Sequence, residues 1–253
     1  MKLYLSSLNT GKIKQHLESA RKYKPKYLLY SYLYLKNKSE EEIETWLNLA
    51  PYIMIDSGAH TFQKEGQETD FEKFVYEYSQ FVKKYSKISY FVELDIENKV
   101  GLPQVEKWRN YLIKDTGKQP IVVWHRERGW DYYKYMVKEY DYVGFSGFVV
   151  DATGGPEVPD RFINLFCDTA HENNAQIHGF GYTRKDVYKY RFDSVDSASW
   201  TAGVRFGRLD KFNGKHLVKG HELSDYGVLY EKIADHQLRE WTKYQVFLDA
   251  LQF

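Results

Sequence analysis

The sequence predicts an α/β fold, a single-domain (β/α)8 barrel of TIM type over residues 1–253, finished by C-terminal closing helices. Short β-forming runs recur along the chain with turn or charged residues between them. Most of the intervals carry apolar side chains at helical spacing, so strand and helix alternate. A length of 253 residues suits one barrel, and no repeat, low-complexity tract or linker marks a second domain.

In chain order the strand runs are KLYLSS (2–7), KYLLYSY (26–32), YIMIDSG (52–58), SYFVELDI (89–96), PIVVWHR (120–126), YVGFSG (142–147), QIHGFGYT (176–183) and FDSVD (192–196). Eight is the number that a closed parallel barrel requires. Among the intervals, SEEEIETWLNLA opens with Ser39 as a cap and glutamates in the first turn. TDFEKFVYEYSQFVKKYSK sets Phe71, Phe74, Val75, Tyr78 and Phe81 at helical spacing, and VPDRFINLFCDTAHEN does so with Phe162, Leu165, Phe166 and Ala170. The interval from Thr183 to Phe192 is the shortest and fits a full crossover helix least well, and LSDYGVLYEKIADHQLREWTKYQVFLDAL reads as one or two closing helices.

Lys+Arg of 36 against Asp+Glu of 35 leaves a formal charge of +1, so no global basic field advertises nucleic acid, and such a partner needs local patches. Cys167 is the only cysteine, which excludes an internal disulfide and a multi-cysteine zinc site. The apolar start MKLYLSS is too short for a signal peptide or a membrane span, so the expectation is a cytoplasmic protein with no membrane partner. The 23 tyrosines are expected to serve amphipathic packing, with a few available for base stacking.

In such barrels the chemistry sits at the C-terminal ends of the strands. There the sequence delivers Asp56-Ser57-Gly58, Glu93-Leu94-Asp95, His125-Arg126, Gly144-Phe145-Ser146-Gly147, His178-Gly179-Phe180-Gly181 and Asp196. One strand-end aspartate is an ordinary turn former. Three on one rim, with glycines that let a flat ligand approach the backbone, suit glycosyl transfer. One carboxylate attacks the anomeric carbon while another moves protons on the leaving group. A metal-assisted hydrolase built on His60, His125 and His178 is the weaker alternative, because no paired-histidine motif ends the first strand.

IDSGAHTFQ (55–63) resembles the Asp-Ser-Gly-Gly-Phe-Gln signature of the tRNA-guanine transglycosylase superfamily, and FDSVDSASW resembles the strand-eight nucleophile block of its archaeal members. RFGRL (205–209) resembles the Gly-Arg segment that follows that block. The resemblance implies a TIM barrel in which Asp196 is the nucleophile and Asp56 takes part in proton transfer and substrate contact. It implies that Asp95 reads the guanine edge, and that Ser57, Gly58, His125, Gly144, Ser146, His178 and Gly179 surround the base. Asp193 is then a supporting residue.

The sequence departs from the family at Ala59, which replaces the second glycine, and at His60-Thr61 before Phe62-Gln63. Residues 204–230 hold His216 and His221 but no cysteine, so the structural zinc of the family is expected to be absent, with no other cofactor. A compact, zinc-free relative is similar to the short DNA-modifying branch found in phages and bacteria, which exchanges guanine for a 7-deazaguanine. DNA is therefore the expected partner, with tRNA or a catalytically inactive nucleic-acid-binding barrel as alternatives. A homodimer is also compatible with the resemblance. Arg126, Arg128, Arg184, Trp200, Arg205 and Arg208 are the expected nucleic-acid contacts, with Trp130, Tyr182 and Lys185 beside them.

Overall fold

The computed structural model describes residues 1–11, 13–58, 69–146, 160–220 and 230–251. Eight parallel strands are built from the predicted runs: β1 (Lys2–Ser6), β2 (Tyr27–Ser31), β3 (Tyr52–Asp56), β4 (Ile88–Phe91), β5 (Val122–Trp124), β6 (Tyr142–Phe145), β7 (Gln176–Gly179) and β8 (Ser194–Ser197). Their order is β4-β3-β2-β1-β8-β7-β6-β5, with β1 flanked by β2 and β8. A parallel bridge from Val92 to Ile121 joins the two ends of that sheet. There Ile121 N–H donates to Phe91 O at 2.8 Å and Glu93 N–H to Ile121 O at 3.1 Å, so the sheet closes into a ring. A barrel of this kind has no free strand edge.

Alternation along each strand divides the apolar residues between two cores. Leu3, Leu5, Leu28, Ile53, Ile55, Val122, Val143, Ile177 and Val195 pack outward against the helices. Tyr4, Tyr27, Leu29, Met54, Val92, Ile121, Val123 and Tyr142 form a separate cluster with no helix residue in it, the barrel interior. Four tyrosines stand in or against it: Tyr4 meets Tyr27 at 5.4 Å and Tyr90 meets Tyr142 edge-on at 5.2 Å.

The helices form where capping and spacing predict them. Ser39 closes a reciprocal capping box with Glu42 at the start of Glu40–Leu47. Phe71–Lys84 buries Phe74, Val75, Tyr78 and Phe81. Helix Asp160–Glu172 is rotated from the expected face: Phe162 and Leu165 are exposed, and Ile163, Phe166, Cys167 and Ala170 are buried instead. The short interval before β8 holds only a 3-10 turn at Val187–Lys189. A small antiparallel pair, β9 (Lys211–Phe212) with β10 (Leu217–Val218), precedes a closing helix, Tyr230–Asp249, the one such helix among the described residues. Gln245 of that helix donates to Leu3 O and Tyr27 O, which ties it to the floor of the barrel. Among the described residues no helix is long and apolar enough to cross a membrane.

Candidate active site

Two residues beyond the apolar interior, the inward positions turn polar. Ser6 follows Tyr4, Ser31 follows Leu29, Asp56 follows Met54 and His125 follows Val123, while Asp196 follows Ser194, a buried polar residue. Together with Asp95, Ser146 and Gly181 they line a cavity of about 650 Å³ at the C-terminal mouth of the barrel. Leu29, Val92, Val123 and Phe180 form its apolar base. The size and the mixture of an apolar floor with few polar groups are those of a small-molecule site.

The three sequence-predicted aspartates meet in this cavity. Asp56 ends β3, and its Oδ2 accepts from Gly58 N–H at 2.9 Å. Burial pushes its carboxyl up to about 6, and the charges of Asp196 and Asp95 act in the same sense. Asp196 Oδ1 accepts from Gly181 N–H at 2.6 Å and lies 3.5 Å from His178 Nε2. Asp95 Oδ1 accepts from His125 Nε2 at 2.6 Å. Burial disfavours the imidazolium of His125, but the bond and charge of Asp95 outweigh it and raise the group above 6.5.

One wall of the cavity rests on charges that the sequence reading left without a role. Glu93 is fully buried and takes Arg109 in a two-pronged pair at 2.6 and 3.1 Å, while accepting from Val123 N–H at 2.7 Å. Arg109 sits mid-helix between Trp108 and Leu112, which are themselves buried, and that position was the available signal. Arg128 is equally enclosed: it donates to Glu97 at 2.6 Å and to Val123 O at 2.5 Å, and approaches Asp95 to 3.6 Å.

Several expected contacts are therefore placed elsewhere. Arg128 is a buried ion-pair residue, not a phosphate contact, because its side chain is only 2% exposed. Trp200 is fully buried, edge-on to His16, and its Nε1 donates to Ser6 O at 2.7 Å; it pins the rim end of β1 and offers no face to a base. His178 lies beneath Asp196 and not on the cavity wall. Ser57 is buried and donates to Glu93 O. Gly144 is covered by Phe180, whose Cε2 is 2.2 Å from where a Cβ would lie, and Gly179 packs on Tyr182 and Phe192. Gly58 has φ +89° and a Cβ there would meet Leu33 Cβ at 2.7 Å, so it shapes the turn after Asp56. Gly147, His60 and His221 lie outside the described residues.

Arg126 and Arg205 are exposed. Arg184 and Arg208 line a second cavity of about 150 Å³, with Lys185, Lys219 and Ser199, and pair with Asp186 and Asp210 respectively. Asp193 binds Ile177 N–H and His171, a structural tie between β7 and β8 as expected of a supporting residue. Lining residues absent from the sequence reading include Ser6, Asn9, Ser31, Tyr34, Glu97 and Asn98. The period-two step along β1 and β2 was the signal for Ser6 and Ser31. Among the described residues no group of three or more His, Cys, Asp or Glu side chains is arranged to hold a metal ion. Compared with known proteins, the chain matches no family model and finds no match among curated proteins.

Proposed function

We propose that the protein is a base-exchange transglycosylase that replaces guanine in DNA with a 7-deazaguanine such as 7-cyano-7-deazaguanine. The observation that carries this reading is the pairing of Asp56, held protonated up to about pH 6, with Asp196 in one cavity. Two carboxyl groups with different environments are what proton transfer and nucleophilic attack at an anomeric carbon require.

An Asp196 oxygen attacks C1′ of the target nucleotide as the C1′–N9 bond breaks. The electron pair leaves with the guanine, and Asp56 supplies a proton to it. The sugar is then an aspartyl ester. An incoming deazaguanine transfers its ring N–H proton to the Asp56 carboxylate, and that nitrogen displaces Asp196 from C1′. The floor of Leu29, Val92, Val123 and Phe180 suits a flat base, and Asp95 with His125 faces its polar edge. The target nucleotide must leave the stack to reach this depth. The cationic residues around the second cavity suit its flanking phosphates. The lack of zinc-binding cysteines in residues 204–230 favours DNA over tRNA in this reading.

The test offers labelled guanine or 7-cyano-7-deazaguanine with duplex DNA, single-stranded DNA and tRNA in parallel. Label entering DNA is the expected result. Label entering tRNA alone overturns the substrate, and label entering none of them overturns the reaction.

A further inference from the structure

Beneath the candidate nucleophile runs a line of buried polar groups. Tyr142 OH and His178 Nδ1 each meet the Ser194 hydroxyl at 2.5 Å. His178 is fully buried, and its Nε2 makes no hydrogen bond and lies 3.5 Å from Asp196 Oδ1. The three residues come from β6, β7 and β8, in which Gly144 pairs with His178 and His178 with Ser194, so the line crosses three adjacent strands.

The protons in this line can be placed by elimination. A proton on Nδ1 makes Ser194 an acceptor from His178, and the Ser194 and Tyr142 hydroxyl protons are then left with the single contact between them. One of those two hydroxyl protons lacks an acceptor among the described residues. In the neutral ring that form also turns the bare lone pair of Nε2 toward the Asp196 carboxylate. With the proton on Nε2 both contacts of Ser194 are matched: Tyr142 donates to Ser194, Ser194 donates to Nδ1, and Nε2–H is left 3.5 Å from the Asp196 Oδ1 carboxylate oxygen.

We infer that Tyr142 and Ser194 fix His178 in its Nε2–H tautomer, and that His178 with Gly181 N–H holds Asp196 Oδ1 so that Oδ2 is the attacking oxygen. The choice of Oδ2 rests on the proposed base exchange, whereas the tautomer does not. On that reading Oδ1 becomes the carbonyl oxygen of the sugar ester and stays under the same two donors until the incoming base restores the carboxylate. His178 is a positioning residue: it touches Asp196 and no cavity surface.

Long-range proton–nitrogen spectra of the whole chain labelled with ¹⁵N-histidine report which ring nitrogen of His178 is protonated. The expected result is Nε2–H in the wild type, with an Nδ1–H population appearing in Ser194→Ala. Nδ1–H in the wild type, or an unchanged ring in Ser194→Ala, overturns the inference whatever reaction the protein performs. Base exchange is read on the same samples, where loss of the Nε2 proton beside Asp196 is expected to slow Ser194→Ala by about tenfold. Exchange unaffected by Ser194→Ala overturns the positioning role. A wild type that shows the Nε2–H ring but exchanges no base upholds the tautomer and refutes the proposed function instead.

Discussion

Asp56 keeps its proton into the range of about pH 6 because its carboxyl is buried and stands in the field of Asp196. The two residues end β3 and β8, on opposite sides of β1 and β2 in the ring, and the closed barrel brings them to one cavity. If Asp56 protonates the departing base, kcat/KM for the nucleic-acid substrate falls as pH rises through about 6, tending to tenfold per pH unit. Removing the Asp196 charge with Asp196→Asn lowers the Asp56 value, which a carboxyl ¹³C titration reads directly.

The Glu93–Arg109 pair is predicted to be a structural keystone of the cavity wall. Both side chains are enclosed, at 0% and 1% exposed, so Arg109→Met leaves a buried carboxylate with its main partner gone. A loss of about 3–5 kcal/mol is expected in urea unfolding, as for other broken buried pairs. A loss below ~1 kcal/mol contradicts the assignment.

His125 gives stability a pH dependence of known sign. Asp95 raises its folded value above 6.5, so its contribution is complete below 6.5 and is lost as pH climbs through the folded value. The raised Asp56 acts in the same direction but in a lower window, from 3.8 to about 6. Urea midpoints measured from pH 6.5 upward are therefore expected to fall in the wild type and to fall less in His125→Gln. Equal slopes contradict the Asp95–His125 coupling.

Gly144 tests the cavity floor. A Cβ there would lie 2.2 Å from Phe180 Cε2, so Gly144→Ala must displace the Phe180 ring from the base of the cavity. The expected outcome is a destabilisation of about 1–3 kcal/mol and weakened binding of free guanine-type bases, read by thermal unfolding and calorimetry. Unchanged base binding contradicts the role given to Phe180.

These sites differ in how far the sequence exposes them. The strands and the three rim aspartates follow from local rules: β-forming runs, turn residues and a two-residue step that sends Met54 and Asp56 to the same side. Arg128, Trp200 and His178 do not, because a side chain's partner belongs to another strand or helix. Nothing near Arg128 in the chain announces Glu97, and nothing near Trp200 announces Ser6 O. The same holds for helix Asp160–Glu172, where Phe162 and Ile163 each complete a plausible apolar face. Contact with the strands decides between them, burying Ile163 and leaving Phe162 exposed. Residues at a strand end thus show their position in the sequence, while their burial is set by distant packing.

The central claim is that Asp196 forms a covalent bond to the sugar. Incubating the protein with guanine-containing DNA in the absence of any incoming base, followed by denaturing electrophoresis and intact mass analysis, captures that species. The wild type is predicted to carry a DNA adduct that maps to Asp196 and is missing from Asp196→Asn. An adduct on another residue, or base exchange undiminished in Asp196→Asn, contradicts the account.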